Sequence, residues 1–543
     1  MEKVDLQSNT FIRFGLILLV SSVFVFFYLP LLKTWFLSDD LHWMQSSATL
    51  QFREIFFVPE RYRTMASNFT PMLGASFKTD WILFKMNPAG YSLHSMLSLV
   101  AASASLYFFL RLYVTTTSAL VGILLFLLNP ITLSTAHWFS TRHYIEGLSW
   151  GLLSLYFFVA AERKGNISIA AGIFYLLSSL CKEVYVVLPA VAFLILDGTI
   201  RRRIKYTLPL WLGLVVYALW RLWIMGGMGG YPSNQPITFV TVFPLFLKLM
   251  SFFSLRWFGE YHLIFPLLLA VVCVFFLRGI RMPLILLVLA LPLLSVANIA
   301  TERFFFHISV FLVFGACLCI EEATSRKKSL HKGIMVFTIF LVAVLFIRLD
   351  ISLLSTIKED RMKAKAAAMT FVHSQKKYIE STQPSWFYES LRQIQREFLG
   401  KEITTRIVPP EHFLRYASPE RLREIREAGI DMPYDDILKY QERLRKGPLT
   451  IRITLDDYKL SWDFGPDKHR SYTVLRGMTS GLYYNHSNLG PAGSIMLSQS
   501  NRDNTPDIVY LRIFYRSEDG EEIISPEFEI RIPGRQKIEY SKD

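Results

Sequence analysis

Apolar residues dominate this chain from residue 11 to about 349, broken by short basic or aromatic segments; from 350 onward polar and charged residues take over. A run of about 20 apolar residues crosses a bilayer core of about 30 Å. Roughly eleven runs approach that length: 14–33, 92–110, 116–134, 145–161, 167–181, 184–198, 206–224, 262–278, 282–299, 304–320 and 332–349. The runs 167–181 and 184–198 are short for full spans and need local thinning of the bilayer. The first run is uncharged, with no small-residue cleavage site after it, so it reads as a retained anchor rather than a signal peptide.

The pattern changes in the polar part. Residues 350–381 and 386–399 read as helices, and so does Pro419–Gly429, where Ser418 suits an N-cap, Pro419 the first turn and Gly429 a stop. From about 448 the period shortens to two. Leu449–Leu455, Ile508–Tyr515 and Phe528–Ile532 read as strands, within a predicted β-sandwich of about seven to nine strands. The expected organisation is a membrane domain over 1–349, a helical connector over 350–447 and a sandwich over 448–543. Within the first domain, the aromatic-rich loop 34–91 is expected to carry interfacial helices.

The formal net charge is +14. Its placement matters more than its size. Arg111, Arg163–Lys164, Arg201–Arg203 with Lys205, Arg278 with Arg281, and Arg326–Lys328 all fall in alternate short loops. This is the bias that keeps such loops cytoplasmic. With the N-terminus inside, an odd number of spans puts 350–543 outside the cytoplasm. The charge therefore reads as a topology signal, and no nucleic-acid partner is expected. The four cysteines, Cys181, Cys273, Cys317 and Cys319, lie in or beside apolar runs, which leaves the polar part without disulfides or a CxxC metal site. The segment Gly226–Gly230 reads as a flexible outer loop.

Charge at the rim of the membrane is where chemistry is expected. On the outer side lie the pair Asp39–Asp40 with His42, then His94, His137, Arg142 and His143, Lys182–Glu183, Arg221, and Glu302–Arg303 with His307. Each has a structural alternative. Asp39 and Asp40 can cap an interfacial helix, Lys182–Glu183 can close a helical corner, Arg221 can snorkel, and the histidines can be packed or solvated. The chemical reading unites them. A carboxylate takes a proton from an acceptor hydroxyl, and Arg and Lys hold a phosphate as it leaves.

Three motifs in order, the acidic pair after the first span, Lys182–Glu183 in SLCKEVYVVLP and Arg303 in TERFFFHIS, resemble multi-spanning GT-C glycosyltransferases. Within these, the protein O-mannosyltransferase group is the nearest likeness, over roughly residues 14–310. The resemblance implies a GT-C-like helical membrane protein with an extracytoplasmic α+β domain ending in the sandwich. It implies transfer of a sugar from a polyprenyl- or dolichyl-phosphate donor to a hydroxyl of a protein, lipid or glycan, with no covalently bound cofactor. Asp39 or Asp40 would be the base. Lys182 and Glu183 would sit beside the site, with Lys182 a candidate for the donor phosphate and Arg303 a second phosphate contact. Apart from the resemblance, Arg142, His143, His94 and Arg221 are further substrate-binding candidates from their place at the rim. A divalent metal stays open, with Asp39 and Asp40 as its ligands if one is used. The membrane expected is the cell inner membrane. The chain departs from the tetratricopeptide-tailed type, because 350–543 shows no 34-residue repeat. The competing readings are an envelope polysaccharide ligase or polymerase, a transporter, and a non-enzymatic assembly protein.

Overall fold

The computed structural model describes residues 2–59, 69–225, 281–292, 302–325, 329–445, 447–457, 459–465, 471–496, 507–517 and 519–542. The chain forms two compact units, Met1–Phe36 with Ser67–Met362, and Leu37–Ala66 with Lys363–Asp543.

The first unit is helical. Six of the described helices are long and apolar enough to cross a membrane, falling within Thr10–Lys33, Pro88–Leu110, Phe139–Glu162, Ile200–Met225, Arg303–Glu322 and Val336–His373. A seventh arises if Thr116–Leu127 and Pro130–Ala136, bent by 60°, are one span. This makes the chain a multi-pass membrane protein. The expected count of eleven is not reproduced among the described residues. The run 167–181 forms the helix Ile169–Cys181, and 184–198 forms a 3-10 turn followed by Leu188–Ile195. At 1.5 Å per residue these helices reach only about 20 Å and 12 Å. The run 262–278 lies outside the described residues, as does Gly226–Gly230, and of 282–299 the described part, 282–292, holds most of the helix Arg281–Ala290.

Local chemistry sets the breaks. Asn87, Thr115, Asn129 and Ser168 each cap the helix that follows by accepting a backbone N–H. Pro follows Asn87 and Asn129, which fixes the first turn and, at 129–130, bends the long apolar run. Glu321 accepts from the Thr115 N–H at 3.0 Å and from the Ser118 hydroxyl at 2.8 Å, tying the end of Phe306–Ser325 to the start of Thr116–Leu127. Packing then exploits small residues. A Cβ on Gly172 would lie 2.7 Å from the Pro209 carbonyl oxygen, so only glycine lets Ile169–Cys181 approach Ile200–Met225 this closely.

The second unit mixes helices and sheets. Ser38–Thr49 packs on Ser385–Leu399. Strands β1 (Tyr378–Glu380) and β2 (Arg406–Val408) pair in parallel. The helix Pro419–Glu427 starts as expected, with the Ser418 hydroxyl accepting from Arg421 N–H. The sandwich follows as two antiparallel sheets. One runs in the order β10–β8–β5–β6 (Phe528–Ile532, Asp507–Arg516, Tyr472–Gly477, Asn485–Leu489), with β9 (Glu522–Ile524) also on β8. The other runs β11–β3–β4–β7 (Gly534–Lys542, Leu449–Asp457, Lys459–Gly465, Ala492–Met496). Alternation turns Leu449, Ile451, Ile453 and Leu455 inward, where they meet Val509, Leu511, Ile513 and Ile530 from the opposite sheet. The helix Ser329–His373 runs unbroken through 349–350, where the sequence pattern predicts a boundary, because Lys and Glu in 358–365 continue the helix without a breaker.

Candidate functional site

Asp39 and Asp40 belong to the second compact unit; Lys182, Glu183, Arg303, Arg142, His143, His94 and Arg221 belong to the first.

Asp39 and Asp40 sit in the first turn of Ser38–Thr49, and the structure separates their roles. Asp40 is fully buried, and its Oδ2 accepts from the Leu37 N–H at 2.8 Å, a helix-start bond. Asp39 keeps Oδ1 at the surface of this unit, where it accepts from the Trp386 indole N–H at 3.2 Å and the Ser38 hydroxyl at 3.3 Å. One oxygen of Asp40 is thus committed to the backbone and one of Asp39 to an indole. Among the described residues no group of three or more His, Cys, Asp or Glu is arranged to hold a metal ion. Burial pushes the neighbouring His42 imidazole below its ordinary range; the Asp39 carboxylate opposes this, and the Arg476 guanidinium adds to it.

In the first unit, Lys182, Glu183 and Arg221 form one ionic trio. Lys182 ends Ile169–Cys181, and its Nζ lies 3.3 Å from Glu183 Oε2 and 5.6 Å from the Tyr144 ring centre. Glu183 Oε1 accepts from Arg221 Nη1 at 2.7 Å and from the Phe69 N–H at 3.0 Å. Arg221 also donates to the Tyr217 hydroxyl at 3.2 Å. Burial opposes the charge on Glu183, but the Lys182 and Arg221 cations outweigh it and hold the carboxyl down to about 2.

A second network contains two carboxylates absent from the candidates expected above. Asp80 and Arg142 are both fully buried and meet at 2.6 Å. Arg142 also reaches Glu146 Oε1 at 3.1 Å, one helical turn on, and the Ser76 hydroxyl at 2.7 Å. His94 closes the network, with Nδ1 at 2.6 Å from Asp80 and Nε2 at 3.6 Å from Glu146. One signal was present in the sequence. Glu146 follows Arg142 by four residues, the spacing of facing side chains on a helix.

His143 is buried beside Arg142 in the chain, with its ring centre 4.6 Å from that of Tyr144. The Arg303 guanidinium lies 4.4 Å from the centre of the Trp138 ring. Among the described residues Arg303 makes no ion pair, whereas Lys182, Arg221 and Arg142 each meet a carboxylate. His137 and His307 are structural, with ring nitrogens on the carbonyls of Phe27 (3.0 Å) and Leu289 (2.7 Å).

No family model matches the chain, and no curated protein does. Among solved structures, ArnT from Cupriavidus metallidurans in the apo state aligns at a TM-score of 0.44 and 13% identity, over 73% of this chain and 85% of that one. The Archaeoglobus fulgidus oligosaccharyltransferase AglB, in complex with an inhibitory peptide and a dolichol-phosphate, aligns at 0.40 and 12%, over 68% of this chain and 59% of that one. The same archaeal enzyme tethered to an acceptor peptide aligns at 0.43 and 11%, over 84% and 74%. The chain thus spans less than two thirds of the AglB chain in the dolichol-phosphate complex.

Proposed function

We propose that the protein is a membrane glycosyltransferase that moves a sugar from a polyprenyl-phosphate carrier to an acceptor hydroxyl on the extracytoplasmic face of the inner membrane. The observation that carries this reading is Arg303, whose guanidinium lies 4.4 Å from the Trp138 ring centre and makes no ion pair among the described residues, in the same compact unit as Lys182. Such a cation suits the phosphate of a lipid-borne donor. Cations fixed in place stabilise that phosphate as it leaves, without reorganising during the reaction.

In the proposed step the acceptor oxygen bonds to the anomeric carbon, the bond from that carbon to the phosphate oxygen breaks, and the electron pair leaves on the phosphate. The hydroxyl proton passes to a base. Asp39 is proposed for that role, since Asp40 is spent on the Leu37 N–H. Lys182 and Arg303 are proposed to meet the donor phosphate, while Glu183 and Arg221 hold Lys182 in place. The acceptor, whether protein, lipid or glycan, belongs to this proposal and not to the geometry. A second reading of the base rests on one contact: His94 is oriented by Asp80 at 2.6 Å within the same unit as the cations.

The test is sugar transfer from a radiolabelled polyprenyl-phosphate sugar by the purified protein in lipid, for wild type, Asp39→Asn and His94→Gln. Loss of turnover in Asp39→Asn alone assigns the base to Asp39. Loss in His94→Gln alone assigns it to His94. No turnover and no donor binding by wild type across several donors removes the glycosyltransferase reading.

A further inference from the structure

The second unit holds a cleft of about 650 Å³, within the range of about 300–1,000 Å³ usual for small-molecule sites. It lies within that unit alone, lined by the helical segment around Tyr416 and Tyr440 and by strands β5, β6, β8 and β9. One wall is aromatic. Tyr416 stacks on Phe514 with ring centres 4.9 Å apart, and Tyr440 stands perpendicular to Tyr416 at 6.0 Å.

At the base of that wall Glu522 is fixed from both sides. Its Oε1 accepts from Arg516 Nε at 3.0 Å and Nη2 at 2.9 Å. Its Oε2 accepts from the Tyr416 hydroxyl at 3.0 Å and from the Tyr440 hydroxyl. Burial and this carboxylate both push the two phenols up, so each stays a protonated donor. The rim is polar. His412 and His486 flank Phe413, and the hydroxyls of Ser471 and Thr473 border the cleft. Burial, His486 and Arg415 push the His412 imidazole down, which leaves it neutral at physiological pH, with one donor and one acceptor nitrogen.

The charges here cancel in pairs. Arg516 meets Glu522, and Arg415 meets Glu411 at 3.4 Å. Among the described residues that line the cleft, a phosphate or a polyanion therefore finds no unbalanced arginine, and it has no use for an aromatic wall. A purely apolar ligand would strip water from the rim hydroxyls and imidazoles without replacing their hydrogen bonds. A neutral saccharide answers both surfaces, with C–H faces for the rings and hydroxyls for the rim.

We propose that this cleft is a saccharide-binding site for a neutral glycan of two or three sugar units. It is independent of transfer, because binding requires neither a donor nor the charged residues of the first unit.

The test uses the full chain in nanodiscs, with no donor present. Chitotriose, mannotriose and cellotriose are titrated by calorimetry and saturation-transfer NMR, beside a Ser/Thr-rich hexapeptide. At least one trisaccharide is expected to bind saturably. His486→Ala, at an exposed rim position, and Tyr440→Ala should each weaken it by about tenfold, the loss of one good contact. Should Tyr440→Ala fail to fold, His486→Ala decides alone. Absence of binding by all three sugars, binding unchanged in His486→Ala, or binding by the peptide alone overturns the proposal. Asp39→Asn is expected to leave this binding intact, so failure here and failure of the transferase reading are separable.

Discussion

Asp80 and Arg142 form a salt bridge of 2.6 Å in which neither side chain has any exposed surface. The carboxylate comes from Pro71–Phe84 and the guanidinium from the first turn of Arg142–Glu162. Ser76, Glu146 and His94 complete the shell. Such a pair is costly to halve, since the remaining charge stays buried.

Asp80→Asn and Arg142→Met should therefore each lower stability by about 3–5 kcal/mol. Arg142→Lys should rescue little, because an ammonium cannot reach Asp80, Glu146 and Ser76 with the same planar fork. Thermal unfolding in detergent, followed by intrinsic fluorescence, reads this. A loss under 1 kcal/mol in both variants would show that the network is solvated.

The two adjacent acids should part company. Asp40→Ala removes the acceptor for the Leu37 N–H and should cost about 0.5–2 kcal/mol, the range of a helix cap. Asp39→Asn should leave the melting temperature near wild type and abolish sugar transfer. The same stability loss in both would point to a shared structural role.

Arg303→Ala should raise the KM for the lipid-phosphate donor by about tenfold or more, the loss of a charge-assisted contact. Arg303→Lys should recover part of it, keeping the charge but not the planar stack on Trp138 at 4.4 Å. Steady-state kinetics over donor concentration reads both constants, and unchanged KM and kcat would place Arg303 away from the donor.

Glu183 gives a pH prediction. Its folded value, about 2, lies below the ordinary carboxylate value of 4.5 that the unfolded chain adopts. Its contribution is thus fully present above about 4.5 and is lost as pH falls toward 2. Wild type should lose stability over that window more steeply than Glu183→Gln. Parallel curves for the two proteins between pH 5 and 3 would refute the pairing with Lys182 and Arg221.

Ser418→Ala should destabilise the second unit by about 1 kcal/mol, through loss of the acceptor for the Arg421 N–H. Chemical denaturation followed by far-UV circular dichroism measures it, and an unchanged midpoint would mean that solvent caps this helix equally well.

Much of the local structure was readable along the chain. Ser418 before Pro419 announced a helix, and the alternation at Leu449–Leu455 announced a strand with one face inward, because capping and side-chain period act over a few neighbouring residues. The long apolar runs at 92–110 and 206–224 announced helices of spanning length for the same reason, found as Pro88–Leu110 and Ile200–Met225. Hydropathy could not say how far the helices at 169–181 and 188–195 run, since their ends depend on the turn at Lys182–Glu183 and on packing. Lys182 and Arg221 were visible as rim charges, and Lys182 adjoins Glu183 in the chain, but that Arg221 meets the same carboxylate is a fact of folding across 38 residues. Asp39 and Asp40 are equivalent as letters; one became a helix cap and the other a partner of Trp386, 347 residues away. The sequence by itself thus determined the elements, the membrane character and the stock of charges, all set by short-range periodicity and composition. Only the tertiary structure decided which charges cancel and which remain for chemistry, because ion pairing depends on distances that chain folding, not chain order, creates.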